Sequence, residues 1–311
     1  MIVRAHRAAK PPRLIVVTGK GGVGKSSVAA ALGFTAAQQG LDTIVVELAG
    51  RSDAARALGA GALAGGRECA VGDRLWHVCV DAHAAMEDYL RNEVPGRVVG
   101  AILSRSGAFD AFAMATPGLR ELVTVGKVWE LAQRPRRRPA AQAYDRVILD
   151  APATGHALGL LAAPRTFAGV ARIGPIARQA AAIDGAIRDP RFTAVIAVAA
   201  PEQVAVSETL ALARTLRGEL GVALRSAVMN RMLPERFSPA ELRLLEPLAA
   251  EPAVSSALWL GIRAHAQRAQ LRRLRRALGD TPVRTLPLVI GSGNERERGQ
   301  GLAHALAPRL S

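Results

Sequence analysis

The sequence predicts an α/β protein in which a mostly parallel sheet is flanked by helices. Short, nearly continuous Val/Ile/Leu runs of strand length recur along the chain, and helical stretches alternate with them. Strands buried on both faces carry such runs, whereas a strand with one wet face alternates apolar and polar residues. A third observation is that the first run opens directly into a glycine-rich loop, GKGGVGKSS.

The elements follow in order. LIVVTG (14–19) is a strand, and residues 25–39 form a helix with Val28, Leu32 and Ala36 on one face. TIVVEL (43–48), RLWHVCV (74–80), DRVILDA (145–151), TAVIAVAA (193–200) and ALRSAVMN (223–230) are further strands, with VRTLPL (283–288) a weaker last one. Residues 83–144 separate the third and fourth strands without a strong strand of their own. That is too long for a simple crossover, so a helical insertion or cap is expected there. A second helical stretch, 238–278, is interrupted near Pro247 and Pro252. The expected organisation is a basic arm (1–13) followed by one domain (14–311). PRRRP (135–139) reads as a solvated loop. RAQLRRLRRAL (268–278) puts Leu271, Leu274 and Leu278 on one stripe, as in an amphipathic surface helix.

With 311 residues, half of them hydrophobic, the chain can bury a large core. The formal charge is +15, but the basic residues are 37 arginines against four lysines. Such a bias points to genome composition rather than to a polyanionic partner, although a basic surface favours anions nonspecifically. Two cysteines, Cys69 and Cys79, exclude a disulfide scaffold and a C-x-x-C motif. No uncharged apolar run approaches the roughly 18 residues needed to cross a bilayer. The basic start lacks a signal-peptide apolar region, so a cytoplasmic protein is expected.

Gly19, Gly24, Lys25 and Ser26 fit the phosphate-loop pattern G-x-x-x-x-G-K-[ST], with a strand entering and a helix leaving. Glycines let backbone amides turn inward around phosphate oxygens, and the helix N-terminus adds partial positive charge. Gly21, Gly22, Val23 and Ser27 complete the expected cradle. Lys25 should reach the β- and γ-phosphates, and the Ser26 hydroxyl should ligate Mg²⁺. This makes the fold a P-loop NTPase, with ATP and Mg²⁺ as expected ligands. Asp150 ends a buried strand, where a carboxylate can hold Mg²⁺ through water. No N-K-x-D motif accompanies Asn230, which favours ATP over GTP.

Lys20, directly after the first glycine, makes the loop K-G-G-x-G-K-[ST]. This resembles the deviant phosphate loop of dimerising ATPases, which include arsenite-pump ATPases, tail-anchored-protein targeting factors, and MinD and ParA. LDAPATGHALGLL (149–161) is similar to the D-T-A-P-T-G-H switch II signature of the ArsA family, with APA in place of TAP. Residues 117–131 and 199–216 resemble helical segments of the same family, and AVMNRM (227–232) its V-x-N strand end. The resemblance implies that Thr154, Gly155 and His156 belong to the nucleotide site, with His156 sensing the γ-phosphate state, and that Asn230 contacts adenine. It also implies that Lys20 reaches across a dimer to the partner's phosphates. Many relatives carry D-P-A-H in switch I, whose Asp orients or deprotonates the attacking water; here the segment is ELAGRSD. Glu47 takes the carboxylate position and Gly50 replaces the His. Asp53 is the competing carboxylate, with helix N-capping as its other role.

The implied protein is a Mg²⁺-dependent switch ATPase, a homodimer or paired with a related ATPase subunit, coupled to a client protein. Cys69 and Cys79 fit neither the C-x-x-C of interchain zinc nor the separated cysteine set for As(III). The alternative is a ParA- or MinD-like positioning ATPase on DNA or a membrane surface. Only the arginine-rich surface favours it, since LAHALAPRL is short for a membrane anchor and contains Pro308.

Overall fold

The computed structural model describes residues 11–48, 50–60, 66–93, 118–136, 141–170, 175–289 and 295–310. Among these, eight strands form one sheet: β1 (Leu14–Gly19), β2 (Thr43–Leu48), β3 (Cys69–Gly72), β4 (Leu75–Val80), β5 (Arg146–Ala153), β6 (Thr193–Ala199), β7 (Leu224–Met232) and β8 (Val283–Pro287). Their order is β3-β4-β2-β5-β1-β6-β7-β8. Every neighbouring pair is parallel except β3 and β4.

Successive side chains of a strand leave opposite faces of the sheet. Leu14 and Val16 of β1, Ile44 and Val46 of β2, and Val147 and Leu149 of β5 fill one core. That core is covered by α4 (Leu119–Leu131), α5 (Thr154–Val170) and α6 (Pro175–Arg188). Ile15, Val17, Val45 and Ile148 fill the opposite core, under α1 (Lys25–Gln38), α2 (Asp53–Ala57) and α10 (Glu295–Leu310). Two glycines let this second layer close. A Cβ at Gly33 would lie 2.7 Å from Val45 Cγ2, and one at Gly299 would lie 2.8 Å from the Ala57 carbonyl oxygen. Between β6 and β7 runs α7 (Gln203–Thr215). Between β7 and β8 come α8 (Pro239–Leu245) and the long α9 (Pro252–Leu278), whose Leu271 and Leu274 are buried against β7.

Several expectations need correction. The short edge strand β3 was not foreseen; its residues are half-buried or exposed, so it lacks the continuous apolar run of the others. β5 continues past Asp150 to Ala153, and Thr154-Gly155-His156 opens α5 directly behind it. PRRRP is not simply solvated, because Arg136 is buried and forks onto Glu68 and Glu130. Of the expected insertion, α3 (Ala82–Glu93) and α4 are helical, while 94–117 and 137–140 lie outside the described residues, as does 1–10 of the arm. Cys69 and Cys79 are half-buried free thiols on β3 and β4.

β1 lies between β5 and β6, with β2 on one side and β7 and β8 on the other. Such a reversal of strand order leaves a crevice beyond the carboxyl ends of the central strands, where α/β sheets bind ligands. The glycine-rich loop leaves β1 at this point.

Candidate nucleotide site

Gly19 has φ +150°, and a Cβ there would collide with the Val198 carbonyl oxygen of β6. The loop can therefore leave the sheet at this point only through glycine. Gly24, at φ +92°, precedes α1, and a Cβ on it would overlap the Asn230 amide. Asn230, buried at the end of β7, donates from Nδ2 to the Val23 carbonyl at 2.9 Å. A strand end more than 200 residues away thus braces the loop. Lys25 is 7% exposed and donates from Nζ to the Lys20 carbonyl at 3.1 Å. Burial lowers its pKa; Asp150 opposes that shift and Arg51 adds to it.

Ser26, in the first turn of α1, donates from Oγ to Asp150 Oδ2 at 2.6 Å. Parallel register sets Asp150 beside Val17 of β1 and Glu47 of β2. Asp150 is 0% exposed, and among the described residues its Oδ1 has no hydrogen-bond partner. Burial pushes its pKa up to about 6, against the pull of Arg51 and the Ser26 hydrogen bond, and neighbouring Glu47 adds to the rise. A buried carboxylate with one oxygen unpaired beside a hydroxyl is an oxygen donor pair suited to a hard cation.

The two candidate switch I carboxylates exchange their expected surroundings. Glu47 is 0% exposed and accepts hydrogen bonds from the backbone amides of Ala54 (3.1 Å) and Ala55 (3.2 Å), the first turn of α2. His77 Nε2 lies 3.4 Å from its Oε2. Burial alone would raise the Glu47 pKa, but His77 and the two amides outweigh it and hold the group below its usual range. Asp53 does not cap α2; it lines the cleft and pairs with Arg56, with Arg51 at 3.9 Å.

The cleft has a volume of about 470 Å³, within the usual range for small-molecule sites. Gly22, Gly24, Lys25, Ser26, Ser27 and Asn230 line it, together with Arg51 and Asp53. Pro287, Leu288 and Val289, at the end of β8, form an apolar wall, and Arg298 and Leu302 of α10 stand nearby. These residues were missed in the sequence; the one available signal was VRTLPL itself, a strand whose carboxyl end falls at the same end of a parallel sheet as the loop. Other predicted residues stand apart from the lining. Lys20 Nζ lies 3.3 Å from Glu208 Oε1 at the surface, and Gly155 and His156 are exposed on α5. The Thr154 hydroxyl is buried and has no hydrogen-bond partner among the described residues.

A parallel sheet, a phosphate loop ending in Lys25-Ser26 and a carboxylate from the adjacent strand define a phosphate-loop nucleotide hydrolase. Residues 12–180 match the ArsA ATPase family, described as anion-transporting ATPase. The chain is 30% identical over 235 residues to the ATPase BagA of Mycobacterium tuberculosis, covering 74% of this chain and 68% of that one. It is 25% identical over 272 residues to the ATPase GET3B of Arabidopsis thaliana, covering 71% and 64%. The chain belongs to the ArsA family and is an ATPase of that type. Among the described residues, no helix is long and apolar enough to cross a membrane.

Proposed function

We propose that the protein is a cytoplasmic, Mg²⁺-dependent ATPase that works as a dimeric switch, coupling its nucleotide state to a client protein through one ATPase domain and its helical insertion. The observation that carries this reading is the buried Ser26–Asp150 pair beside the loop, with Asp150 Oδ1 left unpaired.

Ser26 Oγ and Asp150 would hold Mg²⁺, which when bound neutralises phosphate charge. Mg²⁺ commonly takes only one or two protein groups plus substrate phosphates, so this small donor set suffices. The loop amides of Gly21, Gly22, Val23 and Gly24, with the α1 N-terminus, orient the phosphates. Lys25 would turn from the Lys20 carbonyl onto the β- and γ-phosphates. Asn230 fixes the loop and, with Pro287 and Leu288, bounds the space for the base. Thr154, Gly155 and His156 would follow the γ-phosphate from the start of α5.

For the attacking water, the geometry favours Asp53, which faces the cleft, over Glu47, whose oxygens are committed to α2. Glu47 then positions switch I instead of taking the proton. Lys20 of one subunit would reach the partner's phosphates. Its surface pair with Glu208 costs little to break, since exposed ion pairs are weak. The test is nucleotide binding by calorimetry, with Mg²⁺ and in EDTA, on the wild type and on Lys25→Ala. The reading requires tight Mg²⁺-dependent binding by the first and its loss in the second.

A further inference from the structure

Arg51 lies in the switch I segment ELAGRSD, where sequence alone assigned it no role, yet its guanidinium makes three hydrogen bonds in the site. Its Nη2 donates to Ser26 Oγ and to Asp150 Oδ2, both at 3.2 Å, and its Nη1 donates to the Ala151 carbonyl at 3.4 Å. Its side chain is 26% exposed and lines the cleft. The guanidinium therefore sits on the same two oxygens that the proposed function assigns to Mg²⁺.

Those two oxygens cannot serve a divalent cation while a guanidinium stands 3.2 Å from each, because like charges at that range repel strongly in a buried site. Arg51 must leave when the cation arrives. An arginine can lock onto a carboxylate by pairing both its oxygens as a fork, as Arg136 does with Glu68 at 2.7 and 2.8 Å. Arg51 instead leaves Asp150 Oδ1 unpaired.

Its backbone setting permits a swing. Gly50 has φ +83°, with nothing within 4 Å of its Cβ position, while α2 just beyond is pinned by Glu47 through Ala54 and Ala55. The movement is thereby confined to the segment around Arg51. The anion within reach across the cleft would be the phosphate held by Lys25, and a guanidinium fork matches phosphate geometry.

We propose that Arg51 is a two-position phosphate sensor acting in its own subunit: it rests on Ser26 and Asp150 when no terminal phosphate is bound, and turns onto the terminal phosphate of a nucleoside triphosphate when Mg²⁺ displaces it. This rests on the reading of the cleft as a Mg²⁺–ATP site, and it adds the residue by which the site distinguishes triphosphate from diphosphate.

The test is calorimetric binding of ADP and of a non-hydrolysable ATP analogue, in EDTA and across a Mg²⁺ titration. It uses the full chain as wild type, Arg51→Ala and Arg51→Lys. In Arg51→Ala, the Mg²⁺ concentration for half-maximal ADP binding should fall several-fold, because a competitor is gone and no terminal-phosphate contact is lost with it. The preference for triphosphate over diphosphate should fall about tenfold or more, the scale of one charge-assisted hydrogen-bonded pair. Arg51→Lys keeps a charge without the fork, so its preference should lie between the two. It also serves as the test variant if Arg51→Ala does not fold. An unchanged Mg²⁺ midpoint or an unchanged preference in the folded variant overturns the proposal. Wild-type protein that binds neither nucleotide would instead overturn the underlying reading of the site.

Discussion

Ser26 and Asp150 lie 124 positions apart in sequence but share a 2.6 Å hydrogen bond between the first turn of α1 and the end of β5. The bond joins the phosphate loop to the strand leading into α5. On the proposed reading, a change at either end would be transmitted from a bound nucleotide to the helix that carries Thr154, Gly155 and His156.

Removing the loop cation and removing the hydroxyl should have separable effects. Lys25→Ala is expected to abolish nucleotide binding or turnover. Ser26→Ala should weaken Mg²⁺-dependent hydrolysis while retaining binding measured in EDTA. Wild-type turnover in both variants would remove the loop from the mechanism.

Asp150 is expected to make the nucleotide-free protein less stable at neutral pH. Its pKa is raised from an ordinary value near 3.8 to about 6, so the folded state binds this proton more tightly than the unfolded state does. Stability contributed by this group therefore falls as pH rises through that window, and the deficit persists above it. Two units correspond to about 3 kcal/mol at most. Asp150→Asn cannot ionise, so in EDTA it should melt higher than wild type at pH 7.5 and lose this pH dependence. Its turnover should nevertheless be impaired. A lower melting temperature at pH 7.5 would contradict the assignment.

Glu47 and Asp53 can be told apart by what each loses. Asp53→Asn should keep nucleotide binding and slow hydrolysis by about 10²–10⁴-fold, the usual worth of general-base help. Glu47→Gln disturbs the acceptors for Ala54 and Ala55 and should lower stability by about 1–3 kcal/mol. If Glu47→Gln slows hydrolysis at an unchanged melting temperature and Asp53→Asn does not, the two roles are reversed.

The legible parts of the sequence were those governed by local pattern. Unbroken apolar runs gave seven of the strands, and the glycine spacing gave the loop and the start of α1. Illegible parts depended on tertiary partners. CAVG has no pattern of its own because it only edges β4. Arg136 looks solvated among its basic neighbours until Glu68 and Glu130 are brought to it from elsewhere in the chain. Which of Glu47 and Asp53 faces the cleft depends on how α2 docks, and nothing in ELAGRSD encodes that docking by itself. Arg51 was passed over because an arginine in an arginine-rich chain carries no signal until its contacts are known.

The Arg136 network should matter for stability. Arg136 is buried between two carboxylates and also donates to the Gln142 carbonyl at 3.0 Å, while the Tyr144 hydroxyl donates to Glu68 at 2.8 Å. Burial alone would raise the pKa values of Glu68 and Glu130, but Arg136 outweighs it and holds both below their usual range. Their contribution is therefore present above about pH 4.5 and lost as pH falls through the lowered values. Arg136→Met leaves two carboxylates without their cation and should cost about 3–5 kcal/mol in chemical denaturation at pH 7. A cost below about 1 kcal/mol would show the network to be dispensable.

The dimeric switch itself is tested most directly by mixing subunits. Lys20→Ala keeps its own Lys25 but cannot supply the lysine to a partner, whereas Lys25→Ala has a disabled site but an intact Lys20. ATP hydrolysis is measured for each variant alone and for the mixture. The account predicts two weak or inactive proteins that regain part of the wild-type rate when combined, because the Lys25→Ala subunit supplies Lys20 to the otherwise intact site of the Lys20→Ala subunit. Lys20→Ala protein that stays monomeric and hydrolyses ATP at the full rate would contradict it.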